Sequence, residues 1–237
     1  MAGSDPFGRA LRDHHLGERE EPLVDRDGSR TREQPIEGWY FDEFDGDPFL
    51  DAWLDGPLLD MGAGVGRQSL YYQERFETVA IEVSERLVRT MHGRGVADAR
   101  HADMFALRET FGRDRFRSAF AIGTQATLAG SMAGLRRFLA GLAYVTTPDG
   151  TAVIDSYDPT LAATAETFGY RADPTPGLGH RIYHCEYEER VGETLYFRIF
   201  SPDRLREAAI GTGWQVAEVI HHPPEDPVQF RAALTKG

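Results

Sequence analysis

Four residues with a regular stride constrain this chain more than anything else in it. Asp60, Glu82, Asp103 and Gly123 each end a short apolar run, and they stand 22, 21 and 20 positions apart. Pro57–Met61, Thr78–Glu82, Ala99–Asp103 and Ser118–Gly123 read as strands, with a fifth at Thr151–Ser156. Helical stretches fall between them: Gly66–Phe76, a helix capped by Ser84 that stops at Gly93, and one through Leu135–Tyr144. Strands and helices in alternation imply βαβ units, hence a parallel sheet covered on both faces. The even stride is what successive right-handed crossovers give. The fold class is therefore α/β, a Rossmann-like doubly wound sheet.

The second half has a different rhythm. Arg181–Val191 and Thr194–Phe200 alternate, with Tyr183, Cys185, Tyr187, Leu195, Phe197 and Ile199 all at odd positions. An antiparallel hairpin joins the two apolar faces only across an odd loop, for example Gly192-Glu193-Thr194. This pair reads as an inserted cap within about 157–200. Its odd face is expected to dock on the body. Its even face (Ile182, His184, Tyr196, Arg198, Phe200) either walls a pocket or meets solvent or a second subunit. Ser201-Pro202 opens a helix, and Trp214–His221 and Gln229–Thr235 read as final strands. Upstream, residues 1–35 are charged and turn-rich, a flexible lead or an arm folded over the site. The aromatics between Ile36 and Leu54 suggest one or two helices. The chain thus divides into 1–54, an arm and helices covering the site, and 55–237, the sheet domain with its cap.

The chemistry concentrates in Leu58-Leu-Asp60-Met-Gly62-Ala-Gly64-Val-Gly66-Arg67, where the first strand turns into its helix. Glycines there let a ligand lie against bare main chain. A dinucleotide site would need its third glycine at position 67, which is Arg67, and a phosphate loop would need a closing Gly-Lys-Ser/Thr. An acid just ahead of the glycines suits a ligand with an ammonium and a sulfonium, not a pyrophosphate. Glu82 can accept from two ribose hydroxyls. Asp103 can take an adenine amino group while Met104 packs on the ring. Taken singly, such an acid is more often a helix cap, and such a Met is core. Together, at the carboxyl ends of consecutive strands, they form one site.

The stretch 58–123 resembles the class I S-adenosylmethionine (SAM) dependent methyltransferases. Leu58–Arg67 is similar to their glycine-rich motif, Ala80-Ile-Glu82-Val-Ser to their ribose motif, and His101-Ala-Asp103-Met104 to their adenine motif. The resemblance implies SAM as cofactor, held by Asp60, Gly62, Ala63, Gly64, Gly66, Glu82, Val83, Asp103, Met104 and Gly123. It implies five parallel strands, a helix and a C-terminal β-hairpin end that includes one antiparallel strand. It also implies SN2 methyl transfer, and the cap at 181–200 is similar to insertions of the small-molecule branch. A SAM-binding sensor without catalysis is the alternative, and Arg67 argues against a nicotinamide oxidoreductase.

After the fourth strand the chain reads Gly123-Thr-Gln-Ala-Thr-Leu-Ala-Gly, not the Asn/Asp-Pro-Pro-Tyr/Phe of many nucleic-acid and glutamine methyltransferases. Methylation of base or glutamine nitrogens is disfavoured. Gln125 is the amide at that mouth, or a cap of the next helix. Tyr157, His180 and His184 are the candidate bases, with Asp155 and Asp158 at the same mouth; Asp158-Pro159 could also be a simple turn. His14-His15, His180, His184 and His221-His222 lack metal-ligand spacing on one element, apart from His180 and His184, so no metal is expected.

Charge narrows the partners. Thirty-eight acids oppose 26 bases for a net −12, and Lys236 is the sole lysine. Such a surface repels phosphate backbones, so a small-molecule acceptor is expected rather than nucleic acid. No apolar run is long enough for a bilayer, and no secretory signal shows at the start. A lone Cys185 suits a reducing cytoplasm. A homodimer is possible on this reading. Acid excess with almost no lysine resembles proteins of salt-loving organisms, while codon bias toward Arg is the other explanation. If salt adaptation is the cause, the melting temperature should climb steadily from dilute to molar KCl as screening relieves the net charge. A flat or falling curve would return the composition to codon bias.

Overall fold

The computed structural model describes residues 5–221 and 228–237. Helix α1 (Pro6–Leu16) starts where the Asp5 side chain accepts the Gly8 N–H, and it ends at Gly17 in the left-handed region. A tight hairpin follows, β1 (Val24–Asp27) and β2 (Arg30–Glu33). After a π-helical turn at Glu37–Phe41 comes α2 (Pro48–Trp53), capped by Asp47. The alternation then begins: β3 (Leu58–Met61), α3 (Arg67–Tyr72), β4 (Thr78–Glu82), α4 (Glu85–Arg94), β5 (Ala99–His101), α5 (Leu107–Thr110), β6 (Phe116–Ala121), α6 (Met132–Val145) and β7 (Thr146–Tyr157). Next stand β8 (Tyr170–Ala172), β9 (Leu178–Tyr187), β10 (Arg190–Val191) and β11 (Leu195–Phe200). Helix α7 (Pro202–Ala209), β12 (Trp214–His221) and β13 (Gln229–Lys236) complete the described chain.

The main sheet runs β5-β4-β3-β6-β7-β13-β12. Its first five strands are parallel, and β13 is antiparallel to both neighbours. This is the expected doubly wound sheet with a hairpin end. Strand order reverses between β3 and β6, which opens a crevice above their carboxyl ends. Alternate residues of β3 enter separate cores. Leu59 and Met61 pack with Leu135, Leu139 and Leu142 of α6, while Leu58 packs with Leu50, Tyr72 and Phe120. Burial on both faces is why these strands read as continuous apolar runs.

A second, antiparallel sheet forms around β9. Strands β10, β11, β8 and β1 all pair with it, and β2 pairs with β1. The N-terminal segment and the insertion therefore share one sheet, a junction that the sequence reading did not anticipate. Two local readings also change. Gly93 lies within α4, which ends at Gly95 with φ +96. The chain reverses at Glu188-Glu189, between paired Tyr187 and Arg190, and not at Gly192–Thr194. The latter stretch shifts the register by one, so that Val191 faces Glu186 while Leu195 faces Tyr183. That shift keeps the odd residues of both strands on one face.

Candidate functional site

A cavity of about 450 Å³ lies above the carboxyl ends of β3, β4, β6 and β7. Gly62–Val65 form its floor, and Glu82, Val83, Gly123 and Gln125 its sides. The second sheet roofs it with Tyr183, Cys185, Leu195 and Phe197, and the N-terminal segment adds Phe7, Gln34, Trp39 and Tyr40. Two arginines strap that segment to the floor. Arg94 donates to the carbonyls of Tyr40 at 3.1 Å and Val65 at 3.0 Å. Arg67 donates to the Asp42 and Glu43 carbonyls at 2.8 and 3.2 Å.

The glycine loop leaves main chain bare. Gly64 has φ +59, and a Cβ built there would meet no atom within 4 Å, so the space over it is open to a ligand. At Gly62 a Cβ would stand 2.9 Å from the Gln125 side chain, which lies across the loop. Gly66 serves packing, since a Cβ there would strike Val96 at 2.6 Å.

Three carboxylates border the cavity. Asp60 is buried and accepts the Ser69 hydroxyl at 2.5 Å. Burial pushes its carboxyl up to about 7, against the Ser69 bond and with a smaller push from the Glu82 charge. Burial also raises Glu82, opposed by the N–H groups of Gly64, Ser84 and Val83. Neither acid has an Arg, Lys or His partner among the described residues. Two adjacent uncompensated carboxylates fit a cationic ligand, as an ammonium-bearing sulfonium would be. Asp155, raised by burial to about 6, accepts the N–H groups of Gly123 at 2.8 Å and Thr124 at 2.6 Å, and the Gln229 amide at 2.6 Å. These bonds hold Thr124 at φ +64, a strained value for a β-branched residue.

Of the expected cofactor residues, Asp60, Gly62, Ala63, Gly64, Glu82, Val83 and Gly123 line the cavity. Gly66, Asp103 and Met104 do not. Asp103 accepts the Phe105 N–H at 2.8 Å as a helical cap, and Met104 is buried in the main core. The cavity continues past Val83, which is 60% exposed, into a recess of about 470 Å³ beside Phe7 and His101.

The three candidate bases stand elsewhere. His180 bonds Asp173 at 3.0 Å and the Tyr196 hydroxyl, and Arg198 joins the same group. His184 bonds Glu186 at 3.1 Å. Both histidines lie on the even face of β9, and the cavity is lined from the odd face. Tyr157 is also outside the lining, with the Arg181 guanidinium over its ring. Gln125 is not the mouth's sole amide, because Gln34, Gln68 and Gln229 line it too. The sequence reading placed the odd face against the body. A cavity wall is itself apolar, so hydrophobic alternation alone does not separate wall from core. Among the described residues no group of three or more His, Cys, Asp or Glu is placed to hold a metal ion, and no helix is long and apolar enough to cross a membrane; His222 lies outside the described residues.

No protein-family model matches the chain, and no curated protein matches its sequence. Solved structures do. A SAM-dependent methyltransferase from Bacteroides fragilis, in complex with S-adenosyl-L-homocysteine, superposes with a TM-score of 0.79 at 24% identity, covering 100% of this chain and 97% of that one. A 1,6-didemethyltoxoflavin-N1-methyltransferase from Burkholderia thailandensis, with S-adenosylhomocysteine bound, gives 0.52 at 18% identity over 76% and 70% of the two chains. A sugar N-methyltransferase from a Streptoalloteichus species gives 0.53 at 17% identity over 74% and 78%. The chain has the fold of the SAM-dependent methyltransferases.

Gly64→Val tests the loop. S-adenosylhomocysteine should raise the melting temperature of the wild type, by about 2.7 kcal/mol of stabilisation at ~100 times its dissociation constant. The variant should show no shift, and Glu82→Ala a smaller one. A full shift in Gly64→Val would place the ligand elsewhere.

Proposed function

We propose that the protein is a SAM-dependent methyltransferase acting on a small-molecule acceptor. The observation that carries this reading is the pair of uncompensated carboxylates, Asp60 and Glu82, beside bare glycine main chain at the switch point of this sheet. Gly62–Val65 would hold the amino-acid part of the cofactor, and Glu82 the ribose, with the exposed Val83 against the base. When bound, SAM supplies an electrophilic methyl group, which an acceptor lone pair takes as the carbon–sulfur bond breaks toward sulfur, leaving S-adenosylhomocysteine.

The chain's own part is alignment and exclusion of water. Gln125 lies across Gly62 between the glycine loop and the Asp155 end, placed to orient a reacting group. Asp155 fixes the Gly123-Thr124 backbone from which Gln125 projects. Tyr183, Phe197, Trp39 and Tyr40 close the roof over the acceptor side. A roofed aromatic cavity supports a small acceptor, and methyltransferases of this fold with small-molecule names, the toxoflavin and sugar enzymes, support it further. The acid-rich surface suits work at high salt in the cytoplasm.

Asp60 supplies a pH test. A cationic ligand favours its ionised form, so binding lowers its pKa and releases a proton wherever the free carboxyl is protonated. SAM affinity should therefore fall below pH 7, by at most about tenfold per unit, and level off above it. Asp60→Asn should weaken binding at pH 8 and flatten the profile. Turnover, read as S-adenosylhomocysteine release across an acceptor panel, checks catalysis. Tight binding of NADH with none of SAM would contradict the reading.

A further inference from the structure

Arg181 is 4% exposed, yet it forms no ion pair among the described residues. Its Nε–H donates to the Phe168 carbonyl at 3.0 Å. Its guanidinium carbon lies 4.8, 5.2 and 5.5 Å from the ring centroids of Tyr157, Tyr183 and Phe197. Cation–π contact offsets part of the cost of burying this charge and leaves it without a counter-ion. Tyr183 and Phe197 line the cavity, and Arg181, two residues before Tyr183 and directly across from Phe197, lies beside them on the same face of the sheet.

A second guanidinium reaches the same end. Arg231 faces Asp155 across the β7–β13 ladder and lines the cavity. Its Nη1 donates to Asp47, while its buried Nε has no partner. Asp155 is engaged by Gly123, Thr124 and Gln229, and the Tyr183 hydroxyl makes no hydrogen bond among the described residues. Asp60 and Glu82 stand without cationic partners at the glycine loop, while at the far end Arg231 pairs with Asp47 and faces Asp155, which leaves Arg181 as the charge there with no counter-ion. A cationic acceptor would meet aromatic rings already in contact with a cation. An anion would meet the uncompensated Arg181 charge beside the rings and the unpartnered Arg231 Nε–H.

We propose that the methyl acceptor is a small carboxylate-bearing anion whose flat body lies against Tyr183 and Phe197 and whose charge meets Arg231, with Arg181 beside the rings. The assignment rests on the methyltransferase reading of this cavity, since it names that site's second substrate. A planar guanidinium matches a carboxylate in geometry as well as charge.

Benzoate, benzamide and benzyltrimethylammonium share one ring and differ in charge. Each is titrated by calorimetry into the protein alone and into the protein saturated with S-adenosylhomocysteine. Benzoate should bind about tenfold tighter than benzamide, with the ammonium weakest. General attraction cannot produce this order in a chain of net charge −12. Arg231→Gln should bring benzoate and benzamide within about threefold while S-adenosylhomocysteine affinity stays within about twofold. Arg181→Met should reduce the same preference, and if either variant fails to fold, the wild-type order decides alone. Equal binding of benzoate and benzamide, tightest binding of the ammonium, or a benzoate preference unchanged in both folded variants would overturn the proposal. Failure of S-adenosylhomocysteine to bind would instead count against the methyltransferase reading, and the titrations of the protein alone would still decide the charge assignment.

Discussion

Strand β1 pairs with β9 through Val24–Glu186, Asp25–Cys185 and Arg26–His184, and the closed cavity depends on that pairing. The parallel sheet supplies a floor and sides, but nothing in it can cover its own carboxyl edge. The cover comes from β9 and β11, with the N-terminal segment locked onto them. At the junction Asp25 is fully buried. It accepts from Arg32 at 2.5 Å, from the Gln34 amide at 2.6 Å and from the Cys185 thiol at 3.4 Å. Gln34 in turn accepts the Tyr40 hydroxyl at 3.1 Å, which carries the network to the cavity wall. A buried carboxylate stripped of its partners costs about 3–5 kcal/mol, far more than an exposed pair such as Arg206–Asp203 contributes. The junction is therefore fixed by a buried network rather than by the many surface ion pairs.

Electrostatics sort the cavity by ligand. Burial raises the Asp60 pKa, and repulsion from the Glu82 charge adds a smaller push. A cation over the glycine loop would relieve it. Asp155 is burdened in the same way but is satisfied by two backbone N–H groups and an amide, so it acts on the architecture. It fixes the Thr124 backbone and through it the Gln125 side chain. Carboxylates of the same type thus have different work because their hydrogen-bond partners differ.

The glycine loop, Glu82 and the alternation of strands and helices were legible in the sequence because they are local facts. The strand end at Asp60 and its glycine turn fall within seven residues, and Glu82 ends the next strand 22 positions on. Asp103 and Met104 were placed at the right strand end, yet one caps a turn and the other packs in the core. The roof was far less legible. Val24-Asp-Arg-Asp and Arg30-Thr-Arg-Glu carry almost no apolar alternation, and they are strands because β9, some 160 positions away, offers the first a ladder and the first pairs with the second. The hairpin's odd face was identified correctly as apolar, but apolar surface lines the cavity as well as the core. Choosing the even face brought forward His180 and His184, which bond acids away from the cavity, and passed over Tyr183, Phe197 and Arg181. Arg231 could have been found from its place opposite Asp155, once the last strand was known to lie beside β7.

A crystal structure of the protein grown with S-adenosylhomocysteine tests the account most directly. The account predicts ligand density along Gly62–Val65, with the ribose hydroxyls on the Glu82 carboxylate and the sulfur turned toward Gln125 and the Asp155 end of the cavity. Density in any other recess, or a cavity that stays empty at saturating ligand, would contradict it.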